Sequence, residues 1–377
     1  MNVAVLGAAG TIAPAIVRDL AESEEVERIL LLDLRAEVAA EVAAAHGLGK
    51  AQAREADARA GLAAELDEVG ALINAASYRV NLDAMRACLE AGCHYLDLGG
   101  LYRVTGEQLE LHGDFEAAEL LAVLGIGSSP GKTNLMAARV VEELGGRVDR
   151  IEVIAAGRDL DPPEGLSLPY APETLIDELT LSPVVLRDGR PVEIEPLSAG
   201  GEVDFGEPIG PGETIHTLHS ELRTFGESFG CRECSFRLSL PPALLERLPQ
   251  LADADPEQIR AAAAEAVPQS PRTVSVHVVA ATAGEQAVRM RALTSPHAGW
   301  GLGGGIVSTA APAAAAARLI ARGAVSAHGA LPPERCLDPG TMLAEVGSRG
   351  CEFEINSEAP GEVTDVHSVA IENRSPR

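Results

Sequence analysis

Gly7, Gly10 and Ala13 stand at G-x-x-G-x-x-A spacing directly after the apolar run 3–6. A strand that turns abruptly into a helix leaves unpaired backbone N–H groups at the turn, with the positive end of the helix dipole behind them. A pyrophosphate fits that arrangement. Gly7 permits the tight turn, Gly10 removes a side chain where backbone and phosphate approach, and Ala13 lets the helix lie against the strand. Thr11 and Ile12 open the helix and complete the phosphate-facing set. The spacing departs from the strict G-x-G-x-x-G, so its context carries the reading. That context is a second apolar run, 29–32, ending at Asp33, whose carboxylate can accept both hydroxyls of an adenosine ribose. A carboxylate there repels a 2′-phosphate and favours NAD, whereas Arg35 can attract one and keeps NADP open.

Further candidates fall at later strand ends, where ligands of open parallel sheets bind. Asp57 follows a short strand near 51–55. Asn74 and Ala75 end the apolar run 71–74, and small residues there let a nicotinamide ribose lie close to the backbone, with Tyr78 able to hydrogen-bond beyond it. Asp97 closes the run 94–98. The segment 127–134 ends in the turn Pro130-Gly131 followed by Asn134, which can either hold a substrate carboxylate or cap its own helix.

The elements that position these residues alternate. Apolar runs at 3–6, 29–32, 51–55, 71–74, 94–98 and 122–127 are separated by helical stretches, as in a parallel sheet with right-handed crossovers. The fold class expected is α/β: a Rossmann doubly wound parallel sheet with an inserted α+β domain for catalysis and dimerisation. From residue 150 the texture changes to alternating strands at 151–154, 184–186, 235–238 and 273–279 between long Pro- and Gly-rich loops. The segments 160–168 and 200–213 carry too many breakers for regular structure and read as binding loops. An Ala-rich helix at 310–321 returns to cover the first domain. The boundaries expected are 1–127 for the Rossmann domain, completed by 307–345, then 128–306 for the substrate domain and 346–377 for a C-terminal tail.

Composition narrows the function. A chain of 377 residues with 46% hydrophobic content builds a sizeable core. A net charge of -26 argues against nucleic acid or anionic membrane as partner. No uninterrupted apolar run is long enough to span a bilayer, and the chain starts on a strand without a basic leader, so a cytoplasmic protein with a small-molecule ligand is expected. Lysine occurs only at Lys50 and Lys132. The six cysteines read as free thiols; Cys231 and Cys234 have metal or redox spacing, but no second pair completes a zinc site, and no metal is expected.

Taken together, VAVLGAAGTIA at the start, INAASYRVN (73–81), AGCHYLDLGG (91–100), GIGSSPGKTN (125–134), GPGETIHTLHSE (210–221) and ARGAVSAHGALPPE (321–334) resemble the saccharopine dehydrogenase-like reductases, most of all the L-lysine 6-dehydrogenases. The resemblance implies NAD(P)-dependent oxidation at a carbon bearing an amine, in a homodimer or higher oligomer whose inserted sheet contributes to dimerisation. It implies that Gly7, Gly10, Asp33, Asn74 and Ala75 line the cofactor and that Pro130, Gly131, Asn134, His216 and Thr217 face the substrate. Lys132 stands where an apolar residue is expected, and a cation there binds an anionic group or repels an amine.

Such a reaction needs a base, because hydride leaves an amine-bearing carbon only when the nitrogen lone pair is free. His216, in the loop that the resemblance marks as the active site, is the expected base. His219, Glu221 and Arg223 follow it; Arg223 can clamp a carboxylate with two parallel hydrogen bonds, and Asp97 can bind an ammonium. Two other readings stay open: a carboxynorspermidine-type reductive condensation, and a dinucleotide-binding sensor or scaffold without catalysis.

Overall fold

The computed structural model describes residues 1–358 apart from 166, 169, 247–256, 259–260 and 262–265. Its first sheet begins with β1 (Asn2–Leu6) and β2 (Arg28–Asp33), whose apolar residues are buried by layers on both faces. The strands β3 (Ala51–Glu55), β4 (Ala71–Asn74), β5 (His94–Asp97) and β6 (Leu121–Val123) follow. Between them run helices α1 (Ala13–Ala21), α2 (Ala36–His46), α3 (Leu62–Glu65), α4 (Asn81–Ala91), α5 (Leu101–Leu109) and α6 (His112–Ala117). All pairings are parallel, and the spatial order is β3-β2-β1-β4-β5-β6 with a late strand, β15 (Gly329–Leu331), beyond β6. The strand order reverses between β1 and β4, and the crevice that dinucleotides use opens there. β6 stops at Val123, short of the expected 127, because Gly125 turns the chain at a φ of 75°.

Helix α7 (Lys132–Glu143) leads to a second, nine-stranded sheet. Its path runs β10 (Ala199–Asp204), β11 (Pro211–His216), β12 (Glu233–Ser239), β7 (Arg150–Asp159), β13 (Thr273–Ala283), β14 (Gln286–Thr294) and β16 (Cys351–Glu358), with the hairpin of β8 (Val184–Arg187) and β9 (Arg190–Glu193) attached to β12. It is mixed, since β12 and β7 run parallel while β13 pairs antiparallel to β7. Helices α8 (Pro172–Thr180), α9 (Glu221–Phe229) and the single turn α10 (Pro242–Leu245) accompany it. The expected loop 200–213 is mostly the hairpin of β10 and β11, anchored by fully buried Phe205 at its turn. The expected tail begins instead as β16, an antiparallel partner of β14; residues 359–377 lie outside the described residues.

The return of the chain joins the two sheets. Helix α11 (Gly304–Ala321), followed by α12 (Pro333–Cys336) and α13 (Pro339–Gly347), packs on α1 of the first sheet and on β13 and β14 of the second. Eighteen residues long and rich in Ala, α11 has a membrane-like composition, yet 72% of it is buried inside the protein. One apolar core therefore runs from Val3 and Val5 through α11 and α7 to Val153, Phe236 and Met290. Inside this contact Arg318 of α11 is almost wholly buried and pairs with Asp19 of α1, with Glu345 accepting at 2.9 Å and Arg349 reaching the same Asp19. Burial raises the Asp19 pKa, and the Arg318 and Arg349 guanidiniums work against that rise. Asp19→Ala leaves the buried Arg318 with Glu345 as its remaining carboxylate partner and is expected to cost about 3–5 kcal/mol in urea denaturation; a loss below ~1 kcal/mol would show that the pair is not what holds α1 to α11.

Candidate active site

The dinucleotide end of the crevice is built from backbone. Gly7 lies at φ 79°, and a Cβ on it would sit 2.5 Å from the Ala76 nitrogen, so the loops after β1 and β4 meet at a distance only glycine permits. The α1 N-cap is Ile12, which offers no side-chain acceptor, and Pro14 supplies no N–H; the first-turn amides are thus not capped by a side chain. Asp33, at the end of β2, accepts from the Ala9 N–H and the Arg35 N–H, both at 2.9 Å, while the Arg35 guanidinium donates to the Ala9 carbonyl. An open helix N-terminus, a glycine cradle and a carboxylate at its rim fit a dinucleotide.

Beyond this end a cleft of about 290 Å³ runs between the first sheet's strand ends and the inner face of the second sheet. Ile12, Ala75, Ala76, Tyr78 and Pro130 line one wall; Phe236, Leu238, Ser275 and His277 line the other. Thr309 from α11 and Tyr170 and Glu178 from the α8 segment complete it. Tyr78 donates to Asp177 at 2.7 Å across the domain junction, and burial together with that carboxylate pushes its pKa up to about 12. The phenol is therefore a hydrogen-bonding group that stays protonated at neutral pH.

His219 is the central polar group of the cleft. Its ring stacks on Phe236 with centroids 3.5 Å apart, its Nδ1 lies 2.9 Å from Glu221 Oε2, and its Nε2 lies 3.9 Å from Glu178 Oε1. Glu221 is fully buried at the start of α9, and its other oxygen accepts from Ser129 at 2.6 Å and Thr133 at 2.8 Å. Burial alone would raise the Glu221 pKa, but His219 and the hydroxyl donors reverse this and hold it below the usual value. Burial likewise works against a charged His219; Glu221 and then Glu178 outweigh it, and the pKa is raised. Burial raises the Glu178 carboxyl, which also accepts from the Tyr170 hydroxyl. His277, on the same wall, is driven well below the ordinary histidine range by burial and stays neutral. The Ser220 hydroxyl is buried in the cleft wall and has no hydrogen-bond partner among the described residues.

Several expected site residues lie elsewhere. His216 pairs with Arg237 and Ile215 with Leu238. Directly opposed residues share a face and successive ones alternate, so His216 points with Arg237 to the outer face while Leu238 lines the cleft. His216 stands instead in a small hollow with Arg150, Glu152 and Arg187. Asp97 is sealed inside, accepting from Gln108, Asn81 and the N–H groups of Gly99 and Gly125, and so orders the turns around it without reaching the cleft. Asn74 is buried and holds Asn81 and the Ala76 N–H; Asn134 is spent on the Gly131 N–H and Glu334. Gly131 packs its backbone against Gly127 at φ 120°. Thr217 is fully buried outside the cleft lining, and the Arg223 guanidinium lies over Tyr102. Asp57 closes an exposed turn by accepting from the Arg59 N–H. Lys132 is buried behind the cleft wall among hydroxyls, so it binds no substrate. The expectation missed Glu178 and His277. His277 was open to period-two alternation along β13, whereas nothing in the helical pattern of α8 marked Glu178.

The six cysteines are free, and no cluster that would hold a metal ion occurs among the described residues. Fold and crevice together define a two-domain protein with a dinucleotide-binding Rossmann sheet. Residues 3–123 match the family described as Saccharopine dehydrogenase NADP binding domain, a likeness that agrees with an NAD(P) dinucleotide in the crevice. The whole fold superposes on saccharopine dehydrogenase (L-Glu forming) from Saccharomyces cerevisiae with a TM-score of 0.72, covering 95% of this chain and 100% of that one at 14% identity. Carboxyaminopropylagmatine dehydrogenase of Synechocystis sp. is 27% identical over 233 residues, which are 59% of this chain and 58% of the relative. Carboxynorspermidine synthase of Vibrio alginolyticus is 25% identical over 206 residues, 50% of this chain and 49% of the relative. The chain thus spans about half the length of the curated relatives it matches.

The site geometry makes His219 titration depend on Glu221. Replacing Glu221 by Gln removes the main group opposing desolvation, so the His219 pKa, followed by NMR of its ring protons, is expected to fall from above 6.5 to below it. A pKa unchanged in Glu221→Gln would contradict the assigned pairing.

Proposed function

We propose that the protein is an NAD(P)-dependent oxidoreductase acting on the C–N bond of an amino acid or amine. The observation that carries this reading is the His219–Glu221 pair, buried in a cleft continuous with the dinucleotide crevice and flanked by Glu178. A carboxyl-bearing cleft suits a cationic amine, and the names of both curated relatives, each built on a carboxylated derivative of a longer polyamine or agmatine, favour such a carboxylated polyamine over free lysine. The bound dinucleotide supplies the hydride acceptor or donor.

The chain's own residues handle protons and position. Glu221 fixes the His219 ring through Nδ1, which leaves Nε2 toward Glu178 and the cleft. In the oxidative direction neutral His219 takes the proton from the substrate ammonium and so exposes the nitrogen lone pair. In the reductive direction its imidazolium returns a proton to the amine nitrogen. Glu178 attracts the cationic amine toward that ring, Tyr78, whose own O–H is given to Asp177, offers an acceptor on the opposite wall, and the apolar Phe236 and Leu238 keep water from the reacting carbon. Asp33 favours NAD, since its carboxylate occupies the rim where a 2′-phosphate would sit.

Because its pKa is raised, His219 is a base only above the ordinary histidine value. Screening amino acids, diamines and carboxylated polyamines for nicotinamide reduction at about 340 nm is therefore expected to find a substrate turned over with NAD in preference to NADP. Its oxidative kcat/KM should climb through a limb above about pH 6.5, and the reductive rate should fall across the same range. Dinucleotide binding without turnover on any amine, or with any pair of carbonyl compound and amine, would overturn the reading.

A further inference from the structure

Lys132 is a buried amine for which the reaction has no use. It opens α7 behind the cleft wall, wholly out of water, and among the described residues no carboxylate pairs with it. Its Nζ donates to Ser308 Oγ at 2.6 Å and to Thr294 Oγ1 at 3.3 Å, and contacts Cys351 Sγ at 3.9 Å. Cys351 begins β16 and is itself buried as a free thiol. An ammonium without a counter-ion in a dry interior loses its proton readily, and burial holds the Lys132 pKa below the ordinary value. The site therefore places a nucleophilic amine against a thiol, held by two hydroxyls and closed to the bulk water that would hydrolyse an oxidised sulfur. A mere anchor for α7 would be served as well by an apolar side chain of similar length.

We propose that Lys132 and Cys351 are a modification site at which molecular oxygen installs a covalent Nζ–O–Sγ bridge. One N–H bond of the amine, the S–H bond and the O–O bond break, while one N–O and one O–S bond form. One oxygen atom remains in the bridge, and the other leaves as water with the two hydrogens. Nitrogen and sulfur each give up two electrons, and these four reduce the dioxygen. The bridge ties the first turn of α7 to the edge strand β16, and so clamps the loop that carries Pro130 and Ser129 to the second sheet.

The test is the mass of the protein kept in air-saturated buffer or under argon with a phosphine reductant. In air the intact mass is expected to rise by about 14 Da, one oxygen gained and two hydrogens lost. Tryptic cleavage after Lys132 should disappear, the peptides bearing Lys132 and Cys351 should be recovered joined, and dithiothreitol should restore both. Cys351→Ser, nearly isosteric, should melt like the reduced protein and show no such gain. An unchanged mass in air would overturn the proposal. So would a gain of oxygen on Cys351 with Lys132 still cleaved, or a loss of two hydrogens from a direct N–S bond.

Discussion

A carboxylate buried without access to water, Glu221, is the constraint around which the candidate site is organised. A charge in that position is tolerable only if every lone pair is answered, and the answers come from three segments. Ser129 belongs to the loop after β6, Thr133 to the first turn of α7, and His219 to the turn that follows β11. Satisfying Glu221 therefore fixes the loop that carries Pro130 against the second sheet. It also orients the His219 ring, whose second nitrogen faces the cleft.

The first sheet was largely legible because parallel strands buried on both faces are written as uninterrupted apolar runs, and 3–6, 29–32 and 71–74 all fall on strands. Gly7 was legible for a related reason, since a left-handed turn against a neighbouring backbone leaves a glycine in the sequence. The second sheet was harder to read. Its hairpin of β10 and β11 is rich in Gly and Pro, and it is held as strand by the buried Phe205, by the pairing with β12 and by long-range bonds such as that of Arg291 to the Phe205 carbonyl. Pairing partners of that kind are distant in sequence, and local propensity does not report them.

The same limit displaced the histidine. In the sequence His216 and His219 are separated by three positions and nothing local ranks them. The register of β11 on β12 decides, by turning His216 to the outer face and letting His219 follow the strand end into the cleft. Asp97, Asn74 and Asn134 show a second limit: polar residues at strand ends are equally the ones that tie turns together, and here their hydrogen-bonding capacity is used by neighbouring backbone and side chains. Lys132 is the sharpest case, since its charge suggested a ligand and its burial places it behind the wall.

The central claim is that proton handling belongs to His219 and not to His216. Steady-state kinetics of His219→Asn and His216→Asn, with the amine substrate and dinucleotide, test it most directly. The account predicts that His219→Asn lowers kcat by about a hundredfold or more while His216→Asn stays within a few-fold of the parent. A His216→Asn variant as impaired as that, beside a nearly unaffected His219→Asn, would contradict it.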